Sequence, residues 1–344
     1  MNSTIPEPPR APKRPAFTDL PDLASARVGG SALYATDEFF AAKENLLEAR
    51  VPEWRDGVYT ERGKWMDGWE SRRSFGRVEG HTHDSCIVEL GLPGVVRGVD
   101  VDTSWFRGNF PDSAEIFACA LPGKPTVAEL LAAPWAPLVP RVALEGHGPN
   151  YLAVDHPERA THLRLDIYPD GGVARLRVFG VVAPDWSRAG GIDLAALEHG
   201  GVVLAANDMF FGSKHNLIQP GRSVNMGDGW ETRRKRQIGH DWVIVRLGRR
   251  GTIRGIELDT NHFKGNFPES ARIEGVLADP DASLDALHAA KWTEVLPRTK
   301  LRGHTRHHYD ALAHDAAARF THVRLTIFPD GGVSRLRVYG VPDG

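Results

Sequence analysis

At 344 residues the chain has the length of two ordinary domains of roughly 150 residues, and 41% hydrophobic against 25% charged residues is the balance of a folded, soluble protein. Lys and Arg number 42 against 44 Asp and Glu, so a net charge of −2 supplies no basic field and argues against nucleic acid as a partner. No apolar run approaches the roughly 20 residues needed to cross a bilayer, which argues against a membrane role, and two cysteines exclude a disulfide framework or a cysteine-built zinc site.

Residues 1–16 carry Pro6, Pro8, Pro9, Pro12 and Pro15 with Arg10, Lys13 and Arg14 among them, and read as a disordered Pro-rich tail. The tail has no apolar stretch of the secretory kind, so the expected location is the cytoplasm. A first repeat then spans 17–182, a turn-rich linker (APDWSRAGG) spans 183–191, and a second repeat spans 192–344. The duplication is read directly. THLRLDIYPDGGVARLRVFG (161–180) and THVRLTIFPDGGVSRLRVYG (321–340) agree at 15 of 20 positions. Upstream, LYATDEFFAAKENLL answers LAANDMFFGSKHNLI, and RGVDVDTSWFRGNFPDSAEI answers RGIELDTNHFKGNFPESARI. Repeat 1 is about ten residues longer between Asn45 and Asp67, and that insertion holds Lys64 and Trp65. A period near 160 is too long for a solenoid and marks a duplicated domain.

Within each repeat alternation dominates. Val99, Val101 and Thr103 alternate with Asp100 and Asp102, and Ile256, Leu258 and Thr260 with Glu257 and Asp259, the pattern of half-buried strands. Leu163, Leu165 and Ile167 share one face; after PDGG, Leu176 and Val178 return inward with Arg175 and Arg177 pointing out, which predicts a hairpin. Helix is scarce: TVAELLAA (126–133) opens on a Thr126/Glu129 capping box, and SLDALHAA (283–290) opens on Ser283. The expected fold class is all-β, two tandem homologous jelly-roll β-sandwich repeats with a few short helices.

Chemistry-bearing residues fall at matched positions. Cys86 answers Val243 and Cys119 answers Val276, so both read as core thiols. No GxSxG elbow, HExxH or P-loop is present. DGWE(S/T)RR packs Asp67, Trp69, Glu70, Arg72 and Arg73 into seven residues, with Asp228, Trp230, Glu231, Arg233 and Arg234 in the second copy. Guanidinium forks read carboxylates, but a surface ion-pair ladder beside a core Trp has the same composition. Asn109 and Asn266, in RGNFP and KGNFP, suit an amide or urea group by donor and acceptor together, and equally suit a left-handed turn. His83 and His240 precede core strands as acid/base candidates or as caps. The stretch HTRHHYD (304–310) looks metal-like, but repeat 1 has no counterpart to it, and no ligand spacing assigns a metal.

LASARVGGSALYATDEFFAAKENLL, GKWMDGWESRR, HDSCIVELGLPGVVRGVDVDTSWFRGNFP and PDGGVARLRV together resemble the allantoicase (allantoate amidinohydrolase) family, from about Phe17 to Val341 in both repeats. The resemblance implies two jelly rolls and a place in purine catabolism, converting allantoate and water into ureidoglycolate and urea. For that substrate, Arg72, Arg73, Arg233 and Arg234 are the expected readers of the carboxylate. Glu70 and Glu231 are the expected general acid or base, with His83 and His240 as lesser candidates. Asp102, Asn109, Asp259 and Asn266 would orient the ureido ends, and Lys64 would add a substrate contact peculiar to repeat 1. No cofactor is assigned with certainty, and a divalent metal stays open. Self-association into a homo-oligomer is expected from charged sheet faces. The competing reading is a tandem jelly-roll carbohydrate- or small-ligand-binding protein without catalysis.

Overall fold

The structure, a computed structural model, describes residues 7–74, 79–184, 186 and 192–343. Two compact units divide the chain, Met1–Ala183 and Pro184–Gly344. Of the expected tail, residues 1–6 lie outside the described residues; of the expected linker, so do 185 and 187–191.

Each unit is an antiparallel β-sandwich built on one 19-residue strand, Asp84–Asp102 in repeat 1 and Asp241–Asp259 in repeat 2. In repeat 1 its first stretch lies between Ser31–Ala35 and Arg159–Tyr168, and the sheet continues through Ser113–Cys119 to Ala136–Ala143. Its second stretch pairs with Arg175–Val182 and Tyr151–Ala153. The register against Arg159–Tyr168 breaks between Glu89 and Gly94, the irregularity that lets one strand serve both layers. The inward side chains Ile87, Val99, Val101, Ile116, Leu163, Leu165, Leu176 and Val178 are wholly buried, as are Ile244, Leu258, Ile273, Val323, Leu325, Leu336 and Val338 in repeat 2. Each such aliphatic stabilises by about 1.5–3 kcal/mol. The short helices form as their caps dictate, Val127–Leu131 behind a complete Thr126/Glu129 capping box and Leu284–Ala289 behind Ser283.

Three expectations need correction. The PDGG segment does not close a hairpin: Arg159–Tyr168 and Arg175–Val182 each pair with the long strand, on its two stretches, and Gly172–Val173 pairs with Trp69–Glu70 instead. Alternation determines a strand's faces and leaves its neighbours open. The arginines after PDGG do not point into solvent: Arg175 and Arg335 are at most 2% exposed. The DGW segments fold over that sheet face, where Arg175 Nη2 meets Asp67 Oδ2 at 2.9 Å and Arg335 Nη2 meets Asp228 Oδ2 at 3.0 Å. From Glu7 onward the Pro-rich segment is docked. Arg10 donates its backbone N–H to His147 O (2.7 Å) and pairs with Glu145 (2.9 Å), Arg107 donates to Glu7 O (2.6 Å), and Phe17 packs on Tyr151 and Phe179. Composition registers the prolines but not the loop carbonyls that receive them.

Candidate active site

The DGWE motif assigns one task to each residue. Asp67 and Asp228 anchor the segment to the buried arginines beneath it. Gly68 admits no side chain, because a Cβ there would stand 2.4 Å from Val173 O. Trp69 and Trp230 are wholly buried plugs, each indole N–H donating at 2.8 Å to a backbone carbonyl, that of Asp37 or Asp208. Strand alternation then turns the next side chain, Glu70 or Glu231, to the opposite face. There Asn109 Nδ2 donates to Glu70 Oε1 at 2.7 Å, and Asn266 Nδ2 to Glu231 Oε1 at 2.5 Å.

The asparagine loop is joined to the glycine turn. Gly172 N–H donates to Asn109 O (2.7 Å) and Gly332 N–H to Asn266 O (2.8 Å). Gly171 and Gly331 hold φ of +133°, and a Cβ on either would press within 2.8 Å of those same carbonyls. Two loops distant in sequence therefore hold each Glu–Asn pair in one fixed geometry.

Burial drives the Glu70 carboxyl up to about 7, against the pull of the Asn109 hydrogen bond and the Arg73 charge and with help from Asp170. A carboxyl half-protonated near neutrality can give and take a proton at working pH. In repeat 2 a cavity of about 710 Å³ opens beside the pair, and Glu231, Arg234, Asn266, Lys300 and Asp330 line it. It offers cations for a carboxylate together with an amide and carboxylates for N–H groups.

The structure separates the two arginines of each motif. Arg73 acts electrostatically on Glu70, and Arg234 lines the Glu231 cavity. Arg72 instead donates through Nε to Asp37 (2.7 Å) and covers Phe39, and Arg233 does the same with Asp208 (3.2 Å) and Phe210. These two clamp a loop, each with its Nε held by an aspartate. Asp102 and Asp259 are not brought together with the Glu–Asn pairs by any hydrogen bond among the described residues. They cap the chain after the long strand, accepting from Ser104 N (2.8 Å) and Asn261 N (2.9 Å), on the sheet face that carries the buried arginines. Lys64 places its ammonium 3.8 Å from the Trp54 ring centre, on the two-residue strand Gly63–Lys64. His83 lies on Tyr168 with Nε2 3.9 Å from Asp166, and His240 lies on Phe328 outside the lining of the Glu231 cavity.

Sequence reasoning passed over Asp170 and Asp330, which accept from Ser74 N (2.6 Å) and Lys235 N (2.7 Å). The signal was PDGG in both copies, read as turn chemistry alone. Among the described residues no three His, Cys, Asp or Glu side chains converge to hold a metal ion. His307 of HTRHHYD accepts from Arg302 N at 2.9 Å, as a loop cap does.

The family model described as the allantoicase repeat matches residues 21–183 and again 192–343. A protein of Pseudomonas aeruginosa (strain UCBPP-PA14) named probable allantoicase is 46% identical over 336 residues, covering 96% of this chain and 98% of its own. One of Ralstonia nicotianae bearing the same name is 48% identical, covering 96% and 97%. The crystal structure of allantoicase from Saccharomyces cerevisiae is 35% identical and superposes with a TM-score of 0.75 over 94% of this chain and 93% of its own.

Proposed function

The chain belongs to the allantoicase family and hydrolyses allantoate to ureidoglycolate and urea, and we propose that the Glu70–Asn109 and Glu231–Asn266 pairs carry the chemistry. Allantoate has one carbon bearing a carboxylate, a hydrogen and two ureido groups. Protonated Glu70 gives its proton to the nitrogen of the departing ureido group, and the C–N bond breaks as the second ureido nitrogen lends its lone pair. Urea leaves. Water adds to the imine-like carbon and passes a proton to the Glu70 carboxylate, which restores the acid. Arg73 and Arg234 hold the substrate carboxylate, joined in repeat 2 by Lys300. Asn109 is tied to Glu70 by one amide N–H, so its carbonyl serves a ureido N–H.

The observation that carries this reading is a nine-tenths buried carboxyl held by an amide and pushed toward neutrality. Glu70→Gln, Glu231→Gln and the double variant test it by urea release from allantoate. The double variant is expected to lose at least about 100-fold in turnover, the usual scale of a general acid/base. Full turnover in all three would exclude the glutamates. The same proposal takes 17–182 and 192–344 as the two domains, supported by the division into compact units. It places the chain in the cytoplasm, where two buried free thiols are at home. Among the described residues no helix is long and apolar enough to cross a membrane.

A further inference from the structure

The two Glu–Asn sites differ in charge. The carboxylates that line the repeat 2 cavity, Glu231, Glu269 and Asp330, answer Glu70, Asp112 and Asp170, and Arg234 answers Arg73. The other two cations of that lining have no charged counterpart: Lys235 answers Ser74, and Lys300 answers Ala143. The backbone fixes both equivalences. Ser74 N and Lys235 N donate to Asp170 and Asp330, at 2.6 and 2.7 Å, and Ala143 and Lys300 stand in register opposite Ser113 and Ser270. At matched positions the repeat 2 site therefore carries two more positive charges.

Lys235 is held at both ends. Asp330 takes its backbone N–H, and its ammonium stands 2.7 Å from Oδ1 of Asp241, a wholly buried carboxylate that also accepts from Asn207 Nδ2 at 2.8 Å. In repeat 1 the matching Asp84 is met by Thr36 and His81 instead. An ammonium has several N–H donors, so the contact with Asp241 orients Lys235 without exhausting it for the cavity it lines. Lys300 lies exposed at the same cavity. The carboxylates of the lining are engaged with other groups: Glu231 accepts from Asn266, Asp330 from Lys235 N, and Glu269 pairs with Arg298 at 3.3 Å.

We propose, resting on the placement of the substrate carboxylate given above, that Lys235 and Lys300 are specificity-determining residues. With Arg234 they make repeat 2 the site that selects an acidic ureide over a neutral one, and Asp241 holds Lys235 in place to do so. Repeat 1, with Arg73 alone at these positions, binds the same acid more weakly.

The test uses the full parent chain and two stable probes, ureidoacetate and its neutral carboxamide. Neither carries the second ureido group whose nitrogen expels urea, so calorimetric binding is read whatever the glutamates do, and failure of the glutamate proposal shows separately in urea release. Ureidoacetate should bind in two classes, one tighter by about tenfold or more, the scale of an added hydrogen bond to a charged group. The tight class should weaken as salt is raised. Lys235→Ser with Lys300→Ala, which installs the repeat 1 residues, should merge the two classes and leave binding of the carboxamide unaffected. Lys235→Ser uncovers the buried Asp241, so two further variants keep the test open should that chain fail to fold. Lys300→Ala alone should weaken the tight class, and Ala143→Lys, at an exposed position of repeat 1, should strengthen the weak one. Lys235→Arg, which keeps a cation beside Asp241, should retain tight binding. Failure of ureidoacetate to bind, a single class of sites in the parent, or lysine variants that leave ureidoacetate unchanged or weaken both probes equally would overturn the assignment.

Discussion

Replacing Glu70 with Gln should abolish its proton chemistry and, above neutral pH, strengthen the fold. The Glu70 carboxyl, 9% exposed, sits at about 7 against an ordinary 4.5, and burial is the main cause. The folded chain therefore binds this proton more tightly than the unfolded chain does. Stability from that preference is complete below about pH 4.5 and is lost as pH rises through about 7. At 1.36 kcal/mol per pH unit, the interval amounts to about 3 kcal/mol by pH 8. Gln has the same shape and no charge to desolvate, so Glu70→Gln should match the parent near pH 5 and exceed it by up to about 3 kcal/mol at pH 8. Guanidinium-chloride unfolding at the two pH values measures the difference. Parallel assays of urea release should show activity falling as stability rises, the trade expected where a site holds an unfavourably buried group. A stability difference that is flat between pH 5 and 8 would refute the buried, proton-holding carboxyl.

Removing the Asn109 hydrogen bond by Asn109→Ala should raise the Glu70 carboxyl further, since that bond pulls it down; the descending limb of kcat/KM against pH should move upward. Asp67→Ala strands the buried Arg175 guanidinium and should cost about 3–5 kcal/mol in chemical unfolding. Gly171→Ala sets a Cβ against Asn109 O at a φ of +133°, so it should cost about 1–3 kcal/mol and lower kcat through the displaced asparagine. Arg73→Ala should raise the KM for allantoate, whereas Arg72→Ala should mainly lower the melting temperature.

Local signals in the sequence were sufficient for the strands, for both helix caps and for the duplication, since alternation and capping are written in adjacent residues. They also single out Glu70 with Glu231 and Asn109 with Asn266, which recur in both copies of a motif and which the structure brings into hydrogen-bond contact. What adjacent residues do not record is which distant segment covers a face. Arg175 alternates as a solvent-facing residue does, yet the DGW segment folds over it, and Asp102 pairs with it in register on the neighbouring strand. Arg72 and Arg73 are neighbours of one type. Only the position of Asp37, 35 residues away, makes Arg72 a clamp and leaves Arg73 to act on Glu70.

This division explains why the motif is contiguous. A catalytic carboxyl must be held to about half an ångström by neighbours that are themselves immobile. Along a strand, alternate residues face opposite ways, so Trp69 can lock the backbone from one side while Glu70 projects from the other. Asp67 and Gly68 fix the approach, and the clamp from Arg72 to Asp37 fixes the departure. Shifting the strand by one residue would exchange the plug and the carboxyl. The anchoring pairs are therefore as necessary to the proposed chemistry as the glutamate, although none of them touches substrate. Their loss should appear first in kcat, through misplacement of Glu70, wherever the variant still folds.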